Sequence, residues 1–289
     1  MEGTLYIYRK RLSAFEFSSD VKTSCAVVFI GGLTDGLLSA PYLLPLHRAL
    51  KEDKRATLVQ PLLSSSYGGF GTASLDTDAK ELLDLLRYLT ANRGFERFVL
   101  IGHSTGCQDI VHFFRKYGDT PEASSVYGAV LQGPVSDREC MRYAPQDGEP
   151  QVSDALLAKV EKMIQEGNGK MPVSDWLCYG RYPISADRLW SLCGKKLTLD
   201  DMFSSDLTDE ELKEALKLPA AGKWPERVIV AQSMNDEYIP PYVDRVKLAG
   251  RISAAIPGSE VLLVPDVHAI ESEKGINAII AAVTNILPK

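Results

Sequence analysis

The chain has 289 residues, of which 45% are hydrophobic and 24% are charged, proportions typical of a globular protein with one large core. Its net charge is −6 and its pI is about 5.4. An acidic chain is unsuited to nucleic acid as its main partner, because binding phosphates needs clustered Lys and Arg. No run of about 18 apolar residues occurs, and the first residues lack the apolar core of a signal peptide. We therefore expect a cytoplasmic protein that neither spans a membrane nor binds nucleic acid.

The five cysteines are scattered along the chain and include no Cys-x-x-Cys pair. Their odd number and wide spacing favour neither a disulfide framework nor a zinc site, and they fit a reducing compartment. We expect no metal and no cofactor, and the pattern specifies no oligomeric state. The cysteines are Cys25, Cys107, Cys140, Cys178 and Cys193.

Predicted strands and helices alternate through the first 134 residues. Alternating apolar and polar residues predict a hairpin at 4–8 and 12–17, and apolar runs predict buried strands at 25–30, 56–60, 98–101 and 126–132. Amphipathic patterns predict helices at 41–51, at 75–90 with Ser74 as its cap, and from 108 onwards. Strands separated by helices indicate a parallel sheet with right-handed crossovers.

The apolar run that ends at Ile101 continues into Gly102-His103-Ser104-Thr105-Gly106, and a helical pattern follows at once. A strand, a sharp turn and a helix are the context of the G-x-S-x-G nucleophile elbow. We expect Ser104 to adopt a strained conformation with positive φ, which holds its hydroxyl above the carboxyl end of the strand. The two glycines are expected where neighbouring backbones pass close to the turn. The alternative is a strand-to-helix turn with a capping serine.

A second glycine-rich loop, residues 31–36 (Gly-Gly-Leu-Thr-Asp-Gly), follows the strand at 25–30. We expect the backbone N–H of Leu33 or Thr34 to form an oxyanion hole together with the N–H of Thr105. A plain turn is one alternative. A phosphate cradle is a weaker one, because no Gly-Lys-Ser/Thr follows.

The regular alternation breaks between residues 135 and 225, where no buried strand is predicted. Helices are predicted at 154–165, at 176–192 with interruptions and at 209–218, with loops at 145–150 and 166–171. We therefore divide the chain into a core, residues 1–134 and 226–289, and a mainly helical cap, residues 135–225. Aromatic residues of the cap are expected to bind substrate, with ordinary packing inside the cap as the alternative. They are Trp176, Tyr179, Tyr182 and Trp190.

The sheet is predicted to resume after the cap. Strands are expected at 227–231 and 261–264, with a helix behind Pro240-Pro241 and a closing helix at 275–287. The carboxyl ends of parallel strands lie along one edge of a sheet. Loops that follow these two strands are therefore expected near the serine of the elbow.

A serine nucleophile needs a base within hydrogen-bond reach, and only four histidines are present. We expect His103, inside the elbow, to point away from the hydroxyl. His112 lies too far along the elbow helix, and His47 is interpreted as a surface or packing residue on an early helix. His268, in the loop after the last strand, is therefore predicted to be the base.

The base in turn needs an orienting carboxylate. Asp236 follows the strand at 227–231, and the chain order Ser, Asp, His is the one used on this type of sheet. Glu237 and Asp137 remain alternatives for the acid. Asp266 is too close in sequence to His268 to orient it easily.

Three stretches of this chain resemble a known family. They are Gly102-His103-Ser104-Thr105-Gly106-Cys107-Gln108-Asp109, the loop at 31–36 and Asn235-Asp236-Glu237-Tyr238. Together they are similar to a branch of the α/β-hydrolase superfamily, found in fungi, plants and trypanosomatids and long catalogued as a domain of unknown function. Its best-described relatives are fungal esterases that cleave fusarinine-type siderophore esters inside the cell. The resemblance implies an α/β-hydrolase fold over nearly the whole chain, with a mostly parallel sheet, helices on both faces and a helical cap inserted after the sixth strand.

The resemblance also implies the assignment of Ser104, Asp236 and His268 that the residues themselves favour. The leading hypothesis is a serine hydrolase that cleaves a small-molecule carboxylic ester through an acyl-enzyme. The same residues could cleave an amide, thioester or lactone, or catalyse acyl transfer or a lyase reaction. A ligand receptor with little or no turnover is the alternative from another functional class.

Overall fold

A computed structural model describes residues 2–143, 152–174 and 176–289. The strands are β1 (Gly3–Arg9), β2 (Leu12–Phe17), β3 (Cys25–Ile30), β4 (Ala56–Pro61), β5 (Arg97–His103), β6 (Val126–Gln132), β7 (Arg227–Ser233) and β8 (Ser259–Val264). They form one eight-stranded sheet in the order β1-β2-β4-β3-β5-β6-β7-β8. The hairpin β1–β2 joins β4 in antiparallel fashion, and β4, β3, β5, β6, β7 and β8 pair in parallel. This mostly parallel α/β architecture is the predicted fold class.

The helices are α1 (Leu43–Asp53), α2 (Leu75–Tyr88), α3 (Gly106–Tyr117), α4 (Pro121–Ser124), α5 (Asp137–Tyr143), α6 (Asp154–Gln165), α7 (Ala186–Cys193), α8 (Asp209–Ala215), α9 (Arg245–Ala255) and α10 (Glu273–Asn285). Ser74 caps α2, accepting a hydrogen bond from the N–H of Thr77, as predicted. Within the described ranges, no helix has the length and apolarity needed to cross a bilayer.

Hydrophobic layers cover both faces of the sheet because side chains of a strand alternate between faces. Phe98 and Leu100 of β5 belong to a layer shared with α2, α3 and α9. Val99 and Ile101 belong to the opposite layer, shared with α1 and α10. Because these strands are buried on both faces, their sequences are continuous apolar runs instead of alternating ones.

The region between β6 and β7 differs in detail from the sequence prediction. The helix predicted at 176–192 is reduced to α7, and two isolated β-bridges, Pro172↔Ser185 and Cys178↔Tyr182, precede it. Tyr179 has a φ of 52° and Gly180 one of 62°, so the backbone turns here instead of continuing as a helix. α5 was not predicted, because it begins with buried polar residues and lacks an apolar period. The predicted loop at 145–150 lies outside the described residues.

Residues from α5, α6 and α7 share a hydrophobic cluster that also contains Phe70, from a 3₁₀ turn at Tyr67–Gly71. Residues near α8, among them Phe203 and Leu212, instead join the layer on the α2–α3 face of the sheet. The division into a core and a cap at residues 135 and 225 stays a prediction.

Candidate active site

Ser104 lies in the turn between β5 and α3 with a φ of 55°. Left-handed backbone is unfavourable for a residue with a Cβ, so the surrounding chain must hold it in place. A Cβ on Gly102 would lie 2.4 Å from the carbonyl oxygen of Gly106, and one on Gly106 would lie 2.3 Å from that of Ile30. Glycine is therefore required on both sides of the serine. This is the geometry expected of a nucleophile elbow.

The loop after β3 passes directly beside this serine. A Cβ on Gly32 would lie 2.6 Å from the Cβ of Ser104 and 3.2 Å from its hydroxyl oxygen. Leu33 and Thr34 follow in the same loop and line the cavity that contains Ser104. No hydrogen bond found in the described part of the chain uses the backbone N–H of Leu33, Thr34 or Thr105. These N–H groups are therefore available to a bound oxygen.

His268 and Asp236 form a buried pair in the loops that follow β8 and β7. The Nδ1 atom of His268 lies 2.7 Å from the Oδ2 atom of Asp236. Asp236 is 0% exposed and His268 is 4% exposed. Burial by itself would lower the pKa of His268, but attraction and hydrogen bonding to Asp236, with the nearby charges of Glu237 and Asp35, outweigh it, so the pKa lies above its ordinary value. The pair thus orients the ring and makes His268 a stronger base.

Gly133, directly after β6, makes room for this imidazole. A Cβ at this position would lie 2.9 Å from Cε1 and 3.1 Å from Nδ1 of His268. The backbone of Gly133 has a φ of 62°. The sequence pattern did not single out this glycine.

The two alternative acids, Glu237 and Asp137, make other hydrogen bonds. Glu237 accepts a hydrogen bond from the backbone N–H of His268 at 2.9 Å, so it holds the loop and not the ring. Asp137 accepts a hydrogen bond from the amide of Gln108 at 3.1 Å. Burial raises the pKa of Asp137 to about 7, and the nearby carboxylate of Asp200 adds to the effect. Of the three candidate acids, Asp236 is the one hydrogen-bonded to the imidazole.

A buried glutamine that the sequence pattern did not indicate holds the backbone of His268. Gln132, the last residue of β6, donates from its amide nitrogen to the carbonyl oxygen of His268 at 2.9 Å. The hydroxyl of Tyr42 donates in turn to the amide oxygen of Gln132 at 3.1 Å. Buried networks of this kind are rigid when their members are bonded.

Ser104 and His268 line the same cavity, which has a volume of about 500 Å³. Of the four aromatic residues expected to bind substrate, Tyr179 and Tyr182 lie in its wall. Trp176 and Trp190 do not line it and pack against the hydrophobic cluster shared by α6 and α7. Burial raises the pKa of the Tyr179 hydroxyl well above its ordinary value, so this group remains a neutral donor.

His103 also lies in the wall of this cavity. That its side chain points away from the hydroxyl of Ser104 stays a prediction. Its ring centroid is 4.8 Å from that of His268. Its Nδ1 atom lies 2.8 Å from the Oδ2 atom of Asp35. The site therefore contains a second imidazole–carboxylate pair.

The remaining histidines lie where the sequence analysis expected them. His47 packs on Phe17, with 5.0 Å between the ring centroids. His112 bonds to Asp76 and does not line the cavity. Among residues 2–143, 152–174 and 176–289, no group of three or more His, Cys, Asp or Glu side chains is arranged to hold a metal ion.

A family model described as "Protein of unknown function (DUF1749)" matches residues 1–283. The chain belongs to this family. It is 29% identical over 293 residues to the "Fusarinine C esterase sidJ" of Aspergillus fumigatus, covering 87% of this chain and 82% of the relative. It is also 29% identical to "Esterase AN6793" of Emericella nidulans, covering 86% of this chain and 79% of that protein. The predicted resemblance to this branch is confirmed.

Solved structures support the same fold. The siderophore hydrolase EstB from Aspergillus fumigatus superposes with a TM-score of 0.78 at 26% identity, covering 100% of this chain and 98% of that one. An α/β-hydrolase-fold protein of unknown function superposes with a TM-score of 0.65 at 21% identity, covering 99% and 95%. The fold is that of an α/β-hydrolase, and the named relatives support an ester hydrolase.

Proposed function

We propose that this protein is a serine carboxylic-ester hydrolase in which Ser104 is the nucleophile, His268 the base and Asp236 the orienting acid. The single observation that carries the proposal is the buried 2.7 Å contact between Asp236 and His268 beside a cavity that also contains the strained Ser104. A nucleophile, a base and an orienting group converging on one cavity are the parts that acyl transfer requires.

In the first step, Nε2 of His268 takes the proton of Ser104 while the hydroxyl oxygen forms a bond to the ester carbonyl carbon. The carbonyl becomes a tetrahedral oxyanion, which the N–H of Thr105 and that of Leu33 or Thr34 stabilise. The intermediate collapses, the bond to the alcohol breaks, and His268 gives its proton to the departing oxygen.

In the second step, a water molecule replaces the alcohol. His268 takes a proton from this water as its oxygen attacks the acyl carbon. A second tetrahedral oxyanion forms and collapses, Ser104 regains its proton from His268, and the carboxylic acid leaves. Asp236 accepts the hydrogen bond from Nδ1–H throughout and so holds this tautomer of the base.

The relatives suggest a substrate class. One is named for the ester fusarinine C and another for siderophore hydrolysis. A cavity of about 500 Å³ falls within the range of sites that enclose a small organic molecule. We propose a specialised-metabolite ester, with a siderophore ester as the first to test, and residues 135–225 as the cap over it.

We also propose the cytosol as the compartment in which this ester is cleaved. All five cysteines are free thiols in the structure. The proposal rests on these thiols and on their odd number and wide spacing, which fit a reducing compartment.

Hydrolysis of p-nitrophenyl butyrate and of a hydroxamate siderophore ester tests the proposal. The Ser104→Ala variant should lose at least about 10⁴-fold in kcat. A fluorophosphonate probe should label the parent protein and fail to label both Ser104→Ala and His268→Ala. Parent-like hydrolysis by Ser104→Ala contradicts the mechanism, whereas labelling without turnover of any ester indicates a receptor.

A further inference from the structure

The second imidazole–carboxylate pair in the cavity wall connects two elements of the site. The Oδ2 atom of Asp35 accepts a hydrogen bond from the backbone N–H of Gly32 at 2.7 Å and lies 2.8 Å from Nδ1 of His103. Burial would raise the pKa of Asp35, but its interactions with His103, the N–H of Gly32 and Ser39 together outweigh burial and lower the pKa, so Asp35 is a carboxylate. A carboxylate only accepts, so Nδ1 of His103 carries the proton. One oxygen thus joins the loop after β3 to the residue that precedes Ser104.

The turn that Asp35 closes contains the predicted oxyanion donors. The N–H of Asp35 donates to the carbonyl of Gly32 at 3.1 Å, which makes residues 32–35 a tight turn. Thr34 inside this turn has a φ of 68°, a left-handed conformation that is unfavourable for a β-branched residue. A strained turn keeps its shape only where neighbouring groups hold it. The carboxylate of Asp35 supplies such a contact on the side that faces the elbow.

The imidazole of His103 depends on the same contact. This side chain is 7% exposed, and among the described residues its Nε2 atom has no hydrogen-bond partner. Removing Asp35 would leave both ring nitrogens of a buried histidine unpaired, which is unfavourable. The position of His103 and the shape of the turn are therefore maintained together.

We propose that Asp35 and His103 are positioning residues for ester hydrolysis: their hydrogen bond clamps the turn at residues 32–35 against the elbow, and so aligns its N–H groups with the oxyanion that forms at Ser104. This inference rests on the proposed function. It assigns to Asp35 and His103 roles that neither the triad nor the oxyanion hole requires by itself.

An electrostatic contribution accompanies the clamp. Burial lowers the pKa of His268, and Asp236, Glu237 and Asp35 raise it in that order. The rings of His103 and His268 are 4.8 Å apart, so the charge of Asp35 lies close to the base. Replacing Asp35 by a neutral residue should therefore shift the acid limb of the pH profile to lower pH, a change that a purely structural role would not produce.

Two substitutions at position 35 separate geometry from charge. Asp35→Leu removes the oxygen that accepts both hydrogen bonds. We expect kcat for p-nitrophenyl butyrate to fall about 10²-fold, the effect of losing one oxyanion donor, with KM changed less than about 3-fold. Asp35→Asn retains an oxygen for the N–H of Gly32, so its loss of kcat should be smaller while the acid limb still moves. Asp53→Leu, at the carboxyl end of α1 and away from the cavity, is the matched control and should keep the parent kcat.

Inhibition by a phenylboronic acid gives a second measurement, because its tetrahedral adduct with Ser104 places an oxygen in the oxyanion hole. The inhibition constant should rise in Asp35→Leu by about the factor by which kcat falls. If Asp35→Leu fails to fold, the variants His103→Asn and His103→Leu test the inference instead. The Asn amide can still donate to Asp35, so His103→Asn should retain about 10-fold more kcat than His103→Leu.

Folded Asp35→Leu with parent kcat and parent boronate affinity would overturn the inference, as would equal activity of the two His103 variants. The proposed function has a separate readout in the same assay. If Ser104→Ala is inactive and Asp35→Leu is fully active, only the clamp is wrong. If Ser104→Ala is fully active, the proposed mechanism itself is wrong.

Discussion

Two of the imidazole–carboxylate pairs in the described part of the chain have the same length but lie in very different surroundings. In the cavity, His268 lies 2.7 Å from Asp236, and on α3, His112 lies 2.7 Å from Asp76. The side chain of Asp236 is 0% exposed, whereas that of Asp76 is 54% exposed. Both pairs have a short hydrogen bond, but only Asp236 is buried.

The two histidines have pKa values shifted in opposite directions. For His112, burial outweighs the hydrogen bond to Asp76 and lowers the pKa. For His268, burial also lowers the pKa, but Asp236, followed by Glu237 and Asp35, together outweigh it, so the pKa is raised. Solvent screens the exposed Asp76, which also accepts a hydrogen bond from Lys116 at 2.7 Å. At the same hydrogen-bond length, the histidine with the buried acid has the raised pKa and the histidine with the exposed acid has the lowered one.

We expect the largest effect on kcat when the carboxylate of each pair is removed in turn. We expect Asp236→Asn to lower kcat about 10⁴-fold, because the amide favours the wrong tautomer of His268. Asp76→Asn, the matched substitution at the other pair, should leave kcat unchanged. Steady-state hydrolysis of p-nitrophenyl butyrate measures both. Equal losses in the two variants would show that the cavity pair has no special role.

A second test changes the space around His268 instead of its partner. Gly133 and Gly258 have φ values of 62° and 75°, so alanine should cost each about 1 kcal/mol of stability. A Cβ at Gly133 would lie 2.9 Å from the imidazole, whereas nothing lies within 4 Å of one at Gly258. Gly133→Ala should therefore lower kcat about 10-fold by displacing the base, and Gly258→Ala should not.

Denaturant unfolding and kinetics on the same samples separate the two effects. We expect both variants to lose similar stability and only Gly133→Ala to lose kcat. Unchanged kcat in Gly133→Ala would mean that the position of the imidazole tolerates displacement.

Sequence patterns predicted those parts of the molecule that depend on local periodicity. Apolar runs located the strands of the parallel sheet, and the run into Ser104 located the elbow. His268 could be chosen because carboxyl ends of parallel strands share one edge, which is a consequence of topology. The structure does bring Ser104 and His268 to one cavity.

Contacts between distant segments could not be predicted in this way. His103 and Asp35 are 68 residues apart, and no periodicity connects the end of β5 with the loop after β3. Tyr179 lies in an irregular turn, where neither a helical nor a strand period tells which side chains face the cavity. For the same reason Trp176 could not be distinguished from Tyr179 by its spacing.

A smaller effect is expected in the pH profile when the second acid near His268 loses its charge. The base must be neutral to accept a proton, so kcat/KM rises with pH through the pKa of His268. That pKa lies above 6.5 in the parent. Glu237→Gln still accepts the backbone N–H of His268 but removes a charge, so the midpoint should move to lower pH. An unmoved midpoint, or an equal movement in Asp76→Asn, would contradict this electrostatic account.

The smallest effect concerns the stability of the pair at His112. Its pKa is lowered in the folded protein, so between that pKa and 6.5 the unfolded chain binds more protons than the folded one. Stability therefore falls as the pH is lowered through this window.

His112→Gln keeps a donor for Asp76 without titrating. Urea unfolding at pH 7 and pH 5 should therefore show a smaller loss of stability on acidification, by about 1 kcal/mol or less. Asp76→Asn should steepen the loss, because it removes the group that opposes burial. An unchanged pH dependence in both variants would mean that His112 titrates as it does in the unfolded chain, and the contrast with His268 would then rest on geometry alone.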